Sequence, residues 1–172
     1  LKGPLLSTQD SALSTDEPMS HPRTSGRELA LQYLYMHDVL EGKDVQTFDA
    51  YIAAQETPPE KPSVEFAQKL VSSVLDHRAE LDSEIAEVAT NWNIKRMAAV
   101  DRNVLRLGLA ELTICPETPH KVILNEAVEL AKHYSSDDAG AFVNGLLDKL
   151  SSKHRSVDAP TPAAPAPSAE QK

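Results

Sequence analysis

Two arginines four residues apart, Arg23 and Arg27, stand where a polar leader meets the first run with helical spacing. A helix N-terminus prefers acids, because its exposed N–H groups carry partial positive charge. Arginines at that point are suited instead to straddling a nucleic-acid backbone. A second group, Lys95, Arg96, Arg102 and Arg106, is interrupted by Asp101. Arg102 and Arg106 share one helix face. With Asp101 beside them, the group reads equally as a salt-bridged structural cluster or as a binding patch. The third feature is Phe142-Val143-Asn144-Gly145. Phe142 and Val143 fit a core. Alternatively Phe142 is exposed at a helix start, where a ring stacks on an unpaired base for about 1–3 kcal/mol. Gly145 inside a helix predicts close packing.

Other chemistries find little support. The chain has no Gly-rich phosphate loop, GxSxG, HExxH or EF-hand spacing. Its six histidines are scattered without a metal-binding helical spacing, and the expectation is no metal, no cofactor and no enzyme activity. His37 and His133 fit helix C-termini, where the dipole favours a cation. Cys115 is the single cysteine, which rules out an intramolecular disulfide or a thiolate cluster. It reads as a small filler residue. Glu126 and Glu129 share a face, but such pairs are usually just solvated.

The elements that must position these residues are helical. Residues 1–22 lack a period and read as a flexible leader with no secretory pattern. Leu29, Leu31, Leu34, Tyr35 and Val39 then recur at helical spacing, with Ser25 and Glu28 placed as a capping box. Glu41-Gly42-Lys43 ends that helix. A short helix is expected over 48–54, and ThrProProGluLysPro at 57–62 breaks the chain. Helical spacing resumes at Ser63 and again from Ala79, as one helix or two. Asn93 is placed to cap the next helix, with Met97, Val100, Val104, Leu107 and Leu112 inward. Thr118 is placed to cap another, with Pro119 at its first position. Ser136-Asp137-Asp138 marks the last N-terminus, before Phe142, Val143, Leu146, Leu147 and Leu150. No strand of convincing length alternates. The fold class is all-α: a bundle of about seven helices over 23–152, followed by an Ala/Pro-rich tail at 153–172 that is expected to be disordered.

The chain is 172 residues long and carries a net charge of −9, spread along it rather than gathered in an acidic tail. A core of roughly 130 residues is large enough to stand without disulfides or a structural metal. No apolar run approaches the roughly 18 residues of a membrane span, so no membrane association is expected. A wholly basic nucleic-acid binder is excluded. A local one is not, because the Debye length is about 8 Å at physiological salt.

The stretches GlyArgGluLeuAlaLeuGlnTyrLeuTyr (26–35), ArgMetAlaAlaValAspArgAsnValLeuArgLeuGlyLeuAlaGluLeu (96–112), ValIleLeuAsnGluAlaValGluLeuAlaLys (122–132) and AspAspAlaGlyAlaPheValAsnGlyLeuLeuAspLys (137–149) resemble the NusB transcription antitermination family over about 23–150. The resemblance implies two packed helical halves and a cytoplasmic RNA-binding adaptor. Such an adaptor binds boxA RNA of ribosomal RNA transcripts together with NusE, a small-subunit ribosomal protein, within the RNA polymerase antitermination complex. It places RNA contacts on Arg23, Arg27, Arg102 and Phe142, and contacts to NusE on Tyr35, Asp101 and Asp138. Arg106 is assigned more to structure. The chain departs from the family where consecutive basic residues commonly precede the last arginine: it has Arg23-Thr24-Ser25-Gly26-Arg27, and Ala141 before the Phe. Each lost phosphate contact lowers the salt slope by about 0.7 on a single strand, so RNA binding without the partner is expected to be weak. The alternative is a protein-protein adaptor or homodimer with little RNA affinity. On this reading charge reversal at Arg27 leaves the helices intact.

Overall fold

The computed structural model describes residues 21–155. These form seven α-helices and no strand: α1 (Pro22–Val39), α2 (Phe48–Ala53), α3 (Lys61–Asp76), α4 (Arg78–Val88), α5 (Ala99–Ile114), α6 (His120–Tyr134) and α7 (Asp137–Arg155). A single 3₁₀ turn, Ile94–Arg96, precedes α5. The all-helical bundle expected from the periodicity is the fold. The leader, apart from residues 21 and 22, and the tail beyond Arg155 lie outside the described residues.

The helices pack as two pairs about one shared element. α1 lies along α3, α6 lies along α7, and α5 touches α1, α3, α4, α6 and α7. That central position explains why every residue of α5 from Asn103 to Leu112 is buried, where spacing alone predicts one inner stripe. Leu105 and Leu109 fill the side the stripe leaves out. Burying a Leu, Val or Ile side chain contributes about 1.5–3 kcal/mol, so a helix buried all round is the main source of cohesion between the halves. α2 is held by aromatic contacts. The Tyr33 ring meets the Phe48 ring edge-on at 5.2 Å, and the Tyr33 hydroxyl donates to the Gln46 carbonyl at 2.9 Å.

The helix starts follow from the groups that meet each of them, and two differ from the sequence expectation. α1 begins at Pro22, not after Ser25, with the His21 ring nitrogen accepting from the Arg23 N–H. Proline's fixed φ suits a first helical position, so the helix gains a turn at little cost. Thr118 does not cap α6: its hydroxyl accepts from Arg23 Nη1 at 2.5 Å, and α6 starts at His120 behind Pro119. Asn93 caps the 3₁₀ turn by accepting from the Lys95 N–H at 2.9 Å. α3 and α4 are separate helices that meet at His77. α7 starts after Ser136, whose hydroxyl accepts from the Ala139 N–H at 3.2 Å.

Gly145 corrects a packing expectation. A Cβ built there meets no heavy atom within 4 Å. The close approaches are at Gly26, whose Cβ would sit 2.8 Å from the Ser63 carbonyl oxygen, at Gly108, 2.8 Å from Leu147 Cδ1, and at Gly140, 2.9 Å from Lys132 Cγ. Gly145→Ala is therefore expected to stabilise the fold by about 0.5–1 kcal/mol through helix propensity alone. Chemical denaturation with an unchanged slope against denaturant would measure it, and a loss of stability would mean that this face is covered.

Candidate nucleic-acid and partner interface

Arg23 lies at the first turn of α1, over the turn that enters α6. Its guanidinium donates to Thr118 and, at 3.2 Å, to Glu117 Oε1, and it lies 5.2 Å from the Phe66 ring centroid. Its side chain is 38% exposed. Arg23 remains accessible on a hollow it shares with Arg27, Val122 and Glu126.

Arg27 is different. It is 4% exposed. Its Nε and Nη2 donate to the two oxygens of Glu111 at 2.8 and 2.5 Å, and Nη1 pairs with Glu126 at 3.2 Å. The fold uses this guanidinium to tie α1 to α5 and α6, so a phosphate at Arg27 would compete with the buried, bidentate Glu111 and with the partly exposed Glu126. Glu126 is likewise a structural partner and not simply solvated, whereas Glu129 pairs with Lys132 on the surface.

Arg102 is likewise engaged within the fold. Its Nε and Nη2 donate to Asp38 Oδ2 at 3.0 and 2.6 Å, and Nη1 donates to the carbonyls of Ile94 and Met97, both at 3.1 Å. Arg106 grips Asp82 through Nε and Nη2 at 2.6 and 2.8 Å and lies 3.3 Å from Asp38. For Arg102 and Arg106 the salt-bridged cluster is the arrangement found, while Lys95 and Arg96 are exposed. The cluster's acids are Asp38 and Asp82, not Asp101. Burial alone would push the Asp38 carboxyl up, but hydrogen bonds from Arg102 and the charges of Arg106 and Arg102 outweigh it and hold the carboxyl below the usual range. Burial opposes the charge of Arg106 too, and its bonds to Asp82 and the fields of Asp82 and Asp38 more than compensate.

The remaining expected residues line two hollows on either side of the start of α5. Phe142, half-buried, shares a cavity of about 350 Å³ with Trp92, Arg96, Met97, Asp101 and Asp138. The rings of Trp92 and Phe142 meet edge-on at 5.3 Å. Asp138 is exposed in the first turn of α7. Asp101 Oδ1 is buried with no hydrogen-bond partner among the described residues. An acceptor left so costs about 1–3 kcal/mol until something donates to it. Tyr35 is 43% exposed on a second hollow, of about 290 Å³, with Gln32, Val100 and Tyr134. Arg23 and Phe142 therefore line separate hollows, while Phe142 joins two of the three expected partner residues.

Three residues with structural or surface roles escape sequence reasoning. Asp38 carries a signal: an acid in the last turn of a helix opposes the dipole and needs a cation nearby. Glu111, a charge inside the apolar run Leu107 to Leu112, carries another. Trp92 carries none, since a lone tryptophan reads as core, yet it is 61% exposed. Among the described residues no helix is long and apolar enough to cross a membrane.

Comparison with known proteins accounts for the pattern. The chain is 45% identical over 130 residues to the transcription antitermination protein NusB of Myxococcus xanthus (strain DK1622), covering 74% of this chain and 93% of that one. It is 47% identical over 135 residues to the protein of the same name from Anaeromyxobacter dehalogenans (strain 2CP-1 / ATCC BAA-258), covering 78% and 93%. Among solved structures, NusB in a crystal structure of antitermination factors NusB and NusE in complex with dsRNA superposes with a TM-score of 0.69 at 31% identity, over 78% of this chain and 99% of that one. The sequence profile of the NusB family matches residues 24–152. With that match across most of the helical bundle, the chain belongs to the NusB family of transcription antitermination proteins.

Proposed function

We propose that the chain binds boxA RNA of ribosomal RNA transcripts together with NusE, as part of an RNA polymerase antitermination complex in the cytoplasm. The observation that carries this reading is the cavity joining Phe142 to Asp101 and Asp138. A ring that can stack on a base sits beside two carboxylates, one of them with a buried oxygen still lacking a donor. A basic ribosomal protein supplies that donor, and a single strand supplies the base, so the two ligands meet on one face and each favours the other. A solved relative occurs with NusE and dsRNA together, which supports the pairing of the two partners. Arg27 and Arg102 are engaged inside the fold. Lys95 and Arg96 on the 3₁₀ turn, with the partly exposed Arg23 that already pairs with Glu117, are the cations that reach phosphates, so RNA affinity without the partner is weak.

The test is an RNA titration at two salt concentrations, with and without NusE, using boxA RNA and a scrambled strand. The partner is expected to tighten binding at least tenfold and to create the discrimination. Phe142→Ala lowers RNA affinity by about 1–3 kcal/mol, and Asp138→Lys weakens the partner instead. If neither condition separates boxA from the scrambled strand, this reading fails.

A further inference from the structure

Trp92 stands on the turn between α4 and the 3₁₀ turn, 61% exposed, with its ring edge-on to that of Phe142. A tryptophan left in water forgoes much of the stabilisation of burial, and single exposed apolar residues are common enough to need no explanation. This one has surroundings that point to a ligand. It borders a second hollow, of about 610 Å³, formed with Thr90, Asn91, Asn93 and Arg96. The lining is hydroxyl, amide and guanidinium, and Lys95 is exposed on the same turn. Asn93 uses its oxygen to cap the turn, which leaves its NH₂ group as a donor.

Aromatic face, amides and paired cations in one stretch of seven residues are the groups that single-stranded RNA uses: a ring to stack on, amides for base edges, and positive charge for the phosphate. An acidic peptide fits the cations but not the ring, and a basic one is repelled by Lys95 and Arg96. We propose that Trp92 is a second stacking platform, which takes the unpaired base next to the one on Phe142, with Asn91 and Asn93 at its edge and Arg96 at the intervening phosphate. Arg96 lines both hollows, as a residue between two consecutive nucleotides must. Arg102 is a positioning residue for this site, because it holds the Ile94 and Met97 carbonyls on either side of Lys95 and Arg96. The inference rests on the RNA-binding reading above.

Trp92 is the chain's single tryptophan, so its fluorescence reports on this site alone. The experiment titrates the full chain, with NusE present, with a fluorescently labelled 12-nucleotide single-stranded RNA carrying boxA. Anisotropy of the label and tryptophan emission, the latter corrected for NusE alone, are followed together. The expected result is saturable quenching of Trp92 at the midpoint seen by anisotropy. Trp92→Ala then weakens binding about tenfold, the effect of one stacked base. Trp92→Phe restores most of the affinity and Trp92→Leu does not. Because the side chain is exposed, thermal unfolding of all three variants matches the parent, which separates loss of stacking from loss of fold. RNA binding by anisotropy with unquenched Trp92, and a Trp92→Ala affinity within twofold of the parent, overturns the inference and leaves the RNA reading standing. Quenching by NusE alone with no further change on adding RNA also overturns it, and assigns the ring to the protein partner. Absence of RNA binding in every arm removes both.

Discussion

Arg27→Ala is expected to lower folding stability by about 3–5 kcal/mol, the usual effect of removing one partner of a buried ion pair. The size follows from what is left behind. Glu111 is almost fully buried in the last turn of α5, and without the guanidinium its carboxylate has lost two hydrogen bonds in a place water does not reach. Glu126, at 3.2 Å from Arg27 and partly exposed, is solvated after the change and adds little. Against a total stability of about 5–15 kcal/mol for a domain, such a loss brings a substantial fraction of molecules to unfolding at 37 °C. Charge reversal at Arg27 is worse, since it sets three carboxylates together. The sequence reading expects that variant to keep its helices while losing RNA; the structure expects loss of both. The double variant Arg27→Met with Glu111→Leu separates the roles. Replacing both members of a buried pair by apolar groups of similar size is often neutral or stabilising, so urea midpoints near the parent's are expected. If that folded variant binds RNA as the parent does, Arg27 acts only as a tie between α1, α5 and α6. If it folds but has lost RNA, the arginine contributes to the interface after all.

Arg27 also shows where sequence reading stops. The helices were legible because Leu, Val, Ile and Ala recur at 3.6-residue spacing through α1, α3, α5, α6 and α7, and that pattern depends on neighbours along the chain. The two-pair arrangement around α5 was legible only through the family resemblance. Capping failed where a long-range contact took the capping group: Thr118 is claimed by Arg23 from 95 residues away. The same holds for the site. Phe142, Asp101 and Asp138 do share a cavity, but whether an arginine faces water or a carboxylate depends on residues 64 or 84 positions distant, and no local pattern contains that. Misplaced charges were the one usable signal. Arginines at the start of α1 and Asp38 at its end both oppose the helix dipole, and each marks a helix terminus whose charge is answered from a distant part of the chain.

Asp38 carries the second large expectation. Its side chain is 5% exposed and is approached by Arg78, Arg102 and Arg106, so Asp38→Ala leaves two nearly buried guanidinium groups facing each other. Arg106 keeps Asp82, but Arg102 keeps only the backbone carbonyls of Ile94 and Met97. A loss of about 3–5 kcal/mol is expected at neutral pH; Arg78, more than a third exposed, contributes little to it. Asp38→Asn preserves shape and gives a pH test. The folded state holds the carboxyl below its unfolded value of about 3.9, against burial and through Arg102 and Arg106. A group with a depressed folded pKa contributes stability that is fully present above the unfolded value and is lost as pH falls through the folded one. The gap in urea midpoint between parent and Asp38→Asn is therefore expected to be constant from neutral pH to about 5 and to narrow below about 4. A gap that stays constant into acid would show that the charge of Asp38 is not what holds α1 to α5. Because Arg102 links Asp38 to the turn next to Trp92, the folded fraction of Asp38→Asn should also show shifted tryptophan emission and weaker RNA binding, although Asp38 lines neither hollow around Trp92. Stability and recognition then share one buried carboxylate, which is a physical reason for the acid to stand at the wrong end of α1.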